Sequence, residues 1–265
     1  MRPDDILAAL DSATLWPAGR GGASDTDLAA AYRCALAVRE RRIRRGEKPV
    51  GYKIGFTNRI IWPRYNVWAP IWGVVWDSTL SFCDTEATLD LSGACQPRLE
   101  PEAVFGFREP PPPRPDMDQL FDCLEWVAPG FEVVQSHCPD WKFTAADTVA
   151  DGGLHAHLVV GQRSPVRAIA NDAAALARTL SACTVRLLCN GRLAEEGRGA
   201  NVLDGPLQAL HHFVHELAQL DGAPHIAAGD VVTTGTWTDA WPLQAGACWR
   251  AEFDSPLHSL QLRVR

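Results

Sequence analysis

Apolar side chains recur at every third or fourth position in five stretches of the chain, and this spacing predicts helices. The five stretches cover residues 4–11, 24–45, 117–126, 171–180 and 205–219. In the second stretch, Ser24 or Asp25 can cap the first turn and Gly46 follows the last turn. Because the first two stretches fill most of the chain before Pro49, the N-terminal region is predicted to be helical.

From Pro49 onward the pattern changes to short apolar runs separated by Gly, Pro and Asp, which is typical of strands. The run "CTVRLLCNGRLAEEG" is predicted to be a hairpin that turns at Asn190-Gly191, because Asn-Gly between two alternating runs favours a tight turn. The proline-rich residues 108–116 are predicted to form a stiff surface loop. Many short strands with few helices between them indicate an α+β fold with a mixed or antiparallel sheet that folds over itself.

Composition narrows the class of protein. The 265 residues can bury a substantial core, and the net charge of −7 argues against nucleic acid as the main partner. The basic run Arg39 to Lys48 lies at the end of a predicted helix, where cations suit the helix dipole, and is interpreted as a solvated helix end. Eight cysteines without a CxxC pair fit a reducing compartment.

Membrane insertion and export are not predicted. The N-terminus "MRPDDILAAL" lacks the pattern of a signal peptide, and no apolar stretch approaches the ~18 residues that span a bilayer. We therefore expect a soluble, cytoplasmic protein with no membrane partner.

Two glutamates stand close together in the apolar run "PRLEPEAVFGF" (97–107). In a strand, Glu100, Glu102 and Val104 point to the same face, so two like charges would meet there. Such a strand is either a solvated edge or the site of a cation. Glu132 has similar surroundings in "PGFEVVQSH", and three carboxylates suit a hard cation such as Mg²⁺ or Mn²⁺. The spacing alone leaves both interpretations open.

Other chemically active side chains lie in apolar strands. Lys53, in "GYKIGFTN", must be paired with an anion, reach solvent or be functional. Asp77 follows "WGVVW" and by itself suggests only a turn. His155 and His157 in "GLHAHLVVG" share a predicted strand face, so a metal site or a pocket-facing His155 are both considered.

Two further groups of residues are considered, the histidines of one predicted helix and the tryptophans. His211 and His215 are one helical turn apart but lack the glutamate of HExxH, so an exposed helix face is favoured. Ten tryptophans are expected mainly in the core. Four of them are considered as walls of a pocket: Trp62, Trp68, Trp72 and Trp76.

Seven blocks of the sequence, in this order, together resemble one known family. They are "GYKIGFTN", "APIWGVVWDSTL", "QPRLEPEAVFGF", "GFEVVQSH", "DTVADGG", "EEGRGANVLDGPLQAL" and "AAGDVVTTGTW". The chain resembles the 2-hydroxypentadienoate (2-keto-4-pentenoate) hydratase and 4-oxalocrotonate decarboxylase family, within the fumarylacetoacetate hydrolase superfamily. The resemblance implies a mixed β-roll over residues 76–265, preceded by a helical and strand region at 1–75 that can pack with it as one domain.

The resemblance also implies residue roles. It assigns a divalent metal, Mg²⁺ or Mn²⁺, to three carboxylates that match Glu100, Glu102 and Glu132. Lys53 matches an active-site lysine, Asp77 an aspartate of the pocket, and Thr236 a position that contacts substrate. Two stretches depart from the family pattern: Gln135 and His137 replace an acid and an arginine, and residues 152–155 replace a small polar stretch with serine. His155 is therefore expected to be a replacement acid or base.

The implied reaction starts from a small 2-oxo or 2-hydroxydienoic acid. A metal-stabilised dienolate would lead to hydration, so we expect a metal-dependent lyase. Decarboxylation is the first alternative, followed by C–C hydrolysis of an acylpyruvate. A non-catalytic homologue that binds a keto acid or braces an oligomer is the alternative from another class. By resemblance we expect a homo-oligomer, with a hetero-oligomer containing a related chain as the alternative.

Overall fold

The structure is a computed structural model that describes residues 2–17 and 27–265. The described residues form eight α-helices. They are α1 (Pro3–Ser12), α2 (Leu28–Arg44), α3 (Trp62–Tyr65), α4 (Met117–Cys123), α5 (Ala145–Ala150), α6 (Val166–Ile169), α7 (Ala173–Ala182) and α8 (Pro206–Leu217). Short 3₁₀ turns lie at Arg59–Ile61, Pro139–Trp141, Gly152–Leu154 and Gly199–Asn201.

Polar side chains fix where several helices begin. At α2 the carboxylate of Asp27 accepts from the N–H of Ala29 at 2.9 Å, while the predicted caps Ser24 and Asp25 lie outside the described residues. Gly46, which was predicted to follow α2, has φ +102° beyond its last turn. Asp116 caps α4 in a capping box. Helix α4 ends at Cys123 and not at residue 126, because the chain there joins a strand.

The strands build two mixed sheets. They are β1 (Pro49–Gly55), β2 (Ile71–Trp76), β3 (Leu80–Phe82), β4 (Glu86–Leu89), β5 (Arg98–Phe107), β6 (Leu124–Val134), β7 (His155–Val160), β8 (Ser164–Pro165), β9 (Thr184–Cys189), β10 (Arg192–Arg198), β11 (Val231–Thr233), β12 (Trp241–Pro242), β13 (Cys248–Phe253) and β14 (Leu260–Val264). The predicted α+β class is confirmed. The hairpin is confirmed as well, since Asn190 and Gly191, both with positive φ, connect β9 to β10.

The larger sheet has nine strands, with the order β2-β1-β11-β5-β6-β7-β3 and with β12 and β8 attached to β5 and β6. The smaller sheet has five strands in the order β10-β9-β13-β14-β4. In the larger sheet β1 runs parallel to β11 and β3 parallel to β7, whereas β5 pairs antiparallel with both β11 and β6. Strands β1 and β2, from the N-terminal region, therefore belong to the same sheet as β5 and β6.

The two faces of the nine-stranded sheet are buried against different partners. One face, which includes Leu99, Phe105 and Phe131, joins the main apolar core with α4, α7, α8 and the smaller sheet. The opposite face carries a smaller apolar cluster that includes Val104 and Leu158. Because alternation places Glu100 and Glu102 on the face of Val104, these glutamates do not lie on a solvated edge.

Three further features concern the proline-rich loop, the basic run and the cysteines. Residues 108–116 contain no helix or strand. The arginines at the end of α2 form ion pairs, since Arg42 and Arg45 both contact Glu47. The eight cysteines are free thiols. In the part of the chain that the structure describes, no helix combines the length and apolar character that crossing a membrane requires.

Candidate metal centre

Strand register brings three carboxylates together. Glu100 of β5 lies directly opposite Glu132 of β6, and Glu102 is two residues further along the same face. One ligand oxygen from each of the three lies within 4.8 Å of the others. The antiparallel pairing of β5 with β6 thus converts two separate sequence motifs into one cluster.

The cluster is largely closed to solvent. Glu102 and Glu132 are fully buried and Glu100 is half-buried. Glu102 Oε2 accepts from the N–H of Gly235 at 2.7 Å, whereas Glu102 Oε1 is buried without a hydrogen-bond partner in the described structure. Gly235 has φ +96°, and a Cβ there would lie 1.9 Å from Thr57 Oγ1. Glycine is therefore required for this backbone to reach Glu102.

Two cationic or donor groups contact Glu132. Lys53 of β1 lies on the same face of the sheet as Glu132. Its Nζ is 3.2 Å from Glu132 Oε2, and the residue is 3% exposed. His155 Nδ1 lies 2.9 Å from Glu132 Oε1, and His155 Nε2 lies 2.8 Å from the hydroxyl of Thr79. A neutral imidazole that donates from Nδ1 to the carboxylate and accepts at Nε2 from Thr79 satisfies both contacts.

The protonation behaviour of the cluster follows from burial and from mutual repulsion. Burial, followed by repulsion from Glu132 and Glu100, raises the pKa of Glu102 well above its usual value. Burial is also the main cause that raises the pKa of Glu100 to about 7. Burial opposes ionisation of Glu132 too, but Lys53 and His155 outweigh it and lower the pKa of Glu132.

Lys53 and His155 differ in charge. Burial disfavours the ammonium of Lys53, but the three glutamates outweigh burial and raise its pKa, so Lys53 is charged at neutral pH. Burial is the main cause that lowers the pKa of His155, so the imidazole is neutral there. Three carboxylates therefore face one ammonium, an imbalance that protonation or a cation must relieve.

The residues fit a divalent cation. The donors are all carboxylate oxygens, which Mg²⁺ and Mn²⁺ prefer, and the unpartnered Oε1 of Glu102 is a free acceptor at the cluster. The neutral histidine that donates to Glu132 is the kind of outer contact that orients a carboxylate ligand. The cluster was predicted from the sequence as a pair plus a third acid, and the structure brings these three side chains together.

A cavity of about 350 Å³ opens beside the cluster. Lys53 and Glu100 line it, and Thr236 lies on its wall with its hydroxyl donating to the carbonyl of Thr238 at 3.0 Å. The turn Gly152–Leu154 closes another side, where a Cβ on Gly153 would lie 2.9 Å from Lys53 Cδ. The cavity therefore has a charged end at the carboxylates and leads outward from there.

Asp77 does not belong to this site. It is exposed in the turn after β2, and its carboxylate accepts from the N–H of Lys48 at 3.0 Å. It follows Gly73, the partner of Lys53, by four residues, which is about 13 Å along a strand. In the described structure Asp77 therefore lies in a turn and outside the cavity that contains Lys53.

His155 is also placed differently from the expectation. Both of its ring nitrogens are engaged, with Glu132 and with Thr79, and it does not line the cavity that contains Lys53. In the described structure it therefore contacts a carboxylate and lies outside the cavity that contains Lys53. His157 contacts the hydroxyl of Ser81, so the two histidines do not share a metal site.

The remaining histidine and tryptophan interpretations are resolved by their contacts. His211 and His215 both lie within 3.0 Å of the carbonyl of Pro115, away from the carboxylates. None of the four suggested tryptophans lines the cavity beside the carboxylates, but Trp72 and Trp76 line a second cavity, and Trp68 lines a third. Trp72 and Trp76 are buried, Trp68 is 74% exposed, and Trp62 donates from Nε1 to the carbonyl of Phe56.

Sequence reasoning missed the groups that hold the turn beside Lys53. The side chain of Gln135 accepts from the N–H of Cys95 at 3.0 Å and donates to the carbonyl of His155 at 3.3 Å. His137 Nδ1 lies 2.7 Å from Asp151 Oδ1, and both side chains are buried. The departures from the family pattern at 135 and 137 were the signal, but they support the turn and do not line the cavity.

The chain is similar to known proteins in sequence and in fold. No family model matches the chain. The 2-hydroxyhexa-2,4-dienoate hydratase of Comamonas testosteroni is 31% identical over 217 residues, which are 82% of this chain and 78% of the hydratase.

Solved structures extend the similarity to nearly the whole chain. The 4-oxalocrotonate decarboxylase of Pseudomonas putida G7, complexed with magnesium and adipate, has a TM-score of 0.87 at 25% identity and matches 99% of this chain and 95% of its own. The fumarylpyruvate hydrolase of Pseudomonas aeruginosa, in complex with Mn²⁺ and pyruvate, has a TM-score of 0.61 at 14% identity, over 80% of this chain and 88% of its own. The second likeness concerns the fold alone.

Proposed function

The chain belongs to the 2-keto-4-pentenoate hydratase and 4-oxalocrotonate decarboxylase family of the fumarylacetoacetate hydrolase superfamily, and we propose that it is a divalent-metal-dependent hydratase acting on a 2-hydroxydienoate. The observation that carries this proposal is the convergence of three carboxylates, two of them fully buried, beside a charged lysine at one end of a cavity. The substrate class is that of the hydratase relatives.

In this proposal Glu100, Glu102 and Glu132 hold the metal. When bound there, a divalent cation would act as a Lewis acid that stabilises negative charge on the C1 carboxylate and C2 oxygen of a 2-oxo acid. Gly235 holds Glu102 in place by its N–H, and His155 holds Glu132 by Nδ1–H. His155 is therefore a positioning residue, and the hydroxyl of Thr79 contacts its other ring nitrogen.

Lys53 supplies the positive charge of the protein at the reacting end. Its Nζ lies 3.2 Å from Glu132 Oε2 at the edge of the cavity, so it is proposed to bind the substrate carboxylate or to deliver a proton. Thr236 lines the same cavity and is proposed to contact the substrate.

The proposed reaction has two steps. In 2-hydroxypenta-2,4-dienoate the enol O–H proton leaves and C5 gains a proton, which gives 2-oxopent-3-enoate. Water then adds across the C3–C4 bond, with oxygen joining C4 and hydrogen joining C3. Lys53 Nζ is the proton donor that the described cavity offers next to the carboxylates.

Decarboxylation is the second candidate, because the 4-oxalocrotonate decarboxylase structure matches 99% of this chain with a TM-score of 0.87. Decarboxylation and hydration both need a site that accepts electrons at C2. They differ in the bond that is broken or made, so the products tell them apart.

One assay tests the proposal. Purified protein with Mg²⁺ and 2-hydroxypenta-2,4-dienoate should consume the conjugated chromophore, followed in the ultraviolet, without releasing CO₂. Glu102→Gln should lose at least 100-fold in kcat/KM, since it removes one of three anionic oxygens from the cluster. The exposed Glu109→Gln, which lies outside the cluster, is the matched control and should change nothing.

Three results would assign the chain a different function. Release of CO₂ from 2-oxohex-3-enedioate (4-oxalocrotonate) without hydration would identify a decarboxylase. Cleavage of an acylpyruvate would identify a C–C hydrolase. Bound metal without turnover of any of these acids would identify a non-catalytic homologue.

Ion identity and assembly belong to the same proposal. We expect either Mg²⁺ or Mn²⁺ to support activity, because the ligand set is entirely oxygen. We also expect a closed homo-oligomer, with a hetero-oligomer as the alternative. Light scattering of the purified chain, alone and with a related family member, measures this directly.

A further inference from the structure

Four aromatic side chains line one side of the cavity that leads away from the carboxylates. Phe56 stacks on Tyr65 with ring centroids 4.7 Å apart, and Tyr65 stacks on Phe143 at 5.6 Å. Trp141 continues the row, 6.0 Å from Phe143. We call Phe56, Tyr65, Phe143 and Trp141 the aromatic row. All four residues line the cavity that also contains Lys53 and Glu100.

The aromatic row is held in place by unusual backbone conformations. Phe56 and Trp141 both have φ +58°, a region that residues with large side chains disfavour. Trp62 Nε1 donates to the carbonyl of Phe56 at 2.7 Å, and Trp141 Nε1 donates to the carbonyl of Gln96 at 3.1 Å. Strained, over-determined residues of this kind cluster at ligand-binding sites, where they fix a surface before the ligand arrives.

The aromatic row lies next to the reacting end of the cavity. Phe56 follows Lys53 by three residues, directly after β1. A five-carbon hydroxydienoate has eight non-hydrogen atoms and would fill at most about 240 Å³, even if each atom took the ≈30 Å³ of a liquid water. The cavity measures about 350 Å³, so it has room for a larger substituent beyond C4.

The shape and charge of the row favour a flat, unsaturated group. In the aromatic row, Phe56, Tyr65 and Phe143 stack on one another, so their faces cover each other and mainly their ring edges are available to the cavity. Ring edges carry positive partial charge. The π face of a ligand ring lies favourably against such edges. An alkyl chain would gain only apolar contact from the same surface.

We propose that the substrate carries an aryl group beyond C4 and that the aromatic row binds it. The proposed substrates are therefore 2-hydroxydienoates with an aromatic ring at the end that is remote from the carboxylate. This inference rests on the proposed function for the orientation of the substrate, with its 2-oxo acid end at Glu100, Glu102 and Glu132.

A second carboxylate on the substrate is the competing possibility. The guanidinium of Arg98 lies 4.2 Å from the ring of Trp141 and lines the same cavity, so it could receive an anion. The indole covers the face of this guanidinium and leaves its in-plane N–H groups free, and Arg64 lines the same cavity, so these two cations are the basis of the alternative. The three stacked rings take up more of the wall and offer it an apolar surface. The aryl group is therefore the assignment that more of the wall supports.

Binding of stable 2-oxo acids tests the inference without turnover. Titration calorimetry in Mg²⁺ compares 2-oxo-4-phenylbutanoate, 2-oxohexanoate and 2-oxoadipate, which carry aryl, alkyl and carboxylate ends. The aryl acid should bind at least 10-fold more tightly than the alkyl acid. Phe143→Leu should weaken the aryl acid at least fivefold more than the alkyl acid, and the control Phe82→Leu, at an exposed phenylalanine, should change none of the three affinities.

The outcomes separate this inference from the proposed function. Aryl preference without catalytic turnover would leave the aromatic row as a binding surface and would refute the hydratase. Equal affinities for aryl and alkyl acids would refute the inference alone. A preference for 2-oxoadipate that Arg98→Gln abolishes would assign the distal site to a carboxylate, and failure of all three acids to bind would overturn both.

Discussion

The contact between His155 and Glu132 yields the most discriminating prediction. The substitution His155→Leu removes the Nδ1–H that lies 2.9 Å from Glu132 Oε1 and keeps an apolar side chain in a site that is 7% exposed. The matched control is Thr79→Val, which removes the hydroxyl at the other ring nitrogen and leaves the contact with Glu132 intact. The two variants separate the function of the donor to Glu132 from that of the buried histidine pocket.

The size of the effect follows from the burial of both partners. A hydrogen bond to a charged group contributes about 1.5–3 kcal/mol. Because Glu132 is fully buried, water cannot replace the lost donor. If that free energy serves to orient Glu132, metal affinity falls about 10- to 100-fold in His155→Leu. Thr79→Val should change metal affinity by less than about threefold, since Nδ1 can still donate.

Two measurements distinguish positioning from proton transfer. Calorimetric titration with Mn²⁺ gives the metal affinity, and kcat is measured at saturating metal. A positioning residue predicts weaker metal binding and a kcat that excess metal largely restores. A general acid or base predicts unchanged metal affinity and a loss of about 10²- to 10⁴-fold in kcat that no metal concentration restores.

The second pattern would refute the reasoning, because it would require His155 to face the substrate. A loss of metal affinity in Thr79→Val as large as that in His155→Leu would also count against it. It would mean that the buried pocket as a whole, and not the Nδ1–H donor, controls Glu132.

Three further predictions concern other parts of the fold. Gly235→Ala should abolish metal binding, measured by calorimetry, because the new Cβ would collide with Thr57. The control Gly246→Ala, at φ +85° in open space, should lower the free energy of unfolding by only about 1–2 kcal/mol. Burial opposes ionisation of Glu47, but its arginine partners lower its pKa. Glu47→Gln should therefore lower the free energy of unfolding, measured in urea, by about 1 kcal/mol above pH 4.5. This difference should vanish as the pH falls below the pKa of Glu47 in the folded state. Asp77→Asn should keep wild-type kcat/KM, since its exposed carboxylate contacts the N–H of Lys48 and does not line the cavity, and a large loss of kcat/KM would assign Asp77 to the site after all.

Much of the secondary structure could be predicted because it depends on neighbours in sequence. Helical periodicity located α1, α2, α7 and α8, and Asn190-Gly191 located a hairpin. The end of α4 could not be predicted, since Leu124 leaves the helix to pair with Phe107 of β5. Pairing with a distant strand overrides local helical spacing there.

In the candidate site, too, some positions could be predicted from neighbours in sequence and others depend on distant contacts. Alternation along one strand was enough to place Glu100 and Glu102 on one face. The apolar surroundings of Glu132 and Lys53 singled out these two residues, and the resemblance assigned their roles. The position of Asp77 depends on where β2 ends, which alternation along a strand does not fix. The partners of His155, Thr79 and Glu132, are 76 and 23 residues away in sequence, so local spacing does not place its ring either.

By itself, then, the sequence determined the residue types and their order: acidic side chains at alternate positions of an apolar strand, a lysine between glycines, and the family pattern around them. Tertiary structure alone decided the register that sets Glu100 opposite Glu132, the neutral histidine behind that carboxylate, and the aromatic row beside the cavity. The physical reason is that alternation within a strand is fixed by local backbone geometry. Contacts between distant segments depend instead on how whole sheets pair and bury their faces.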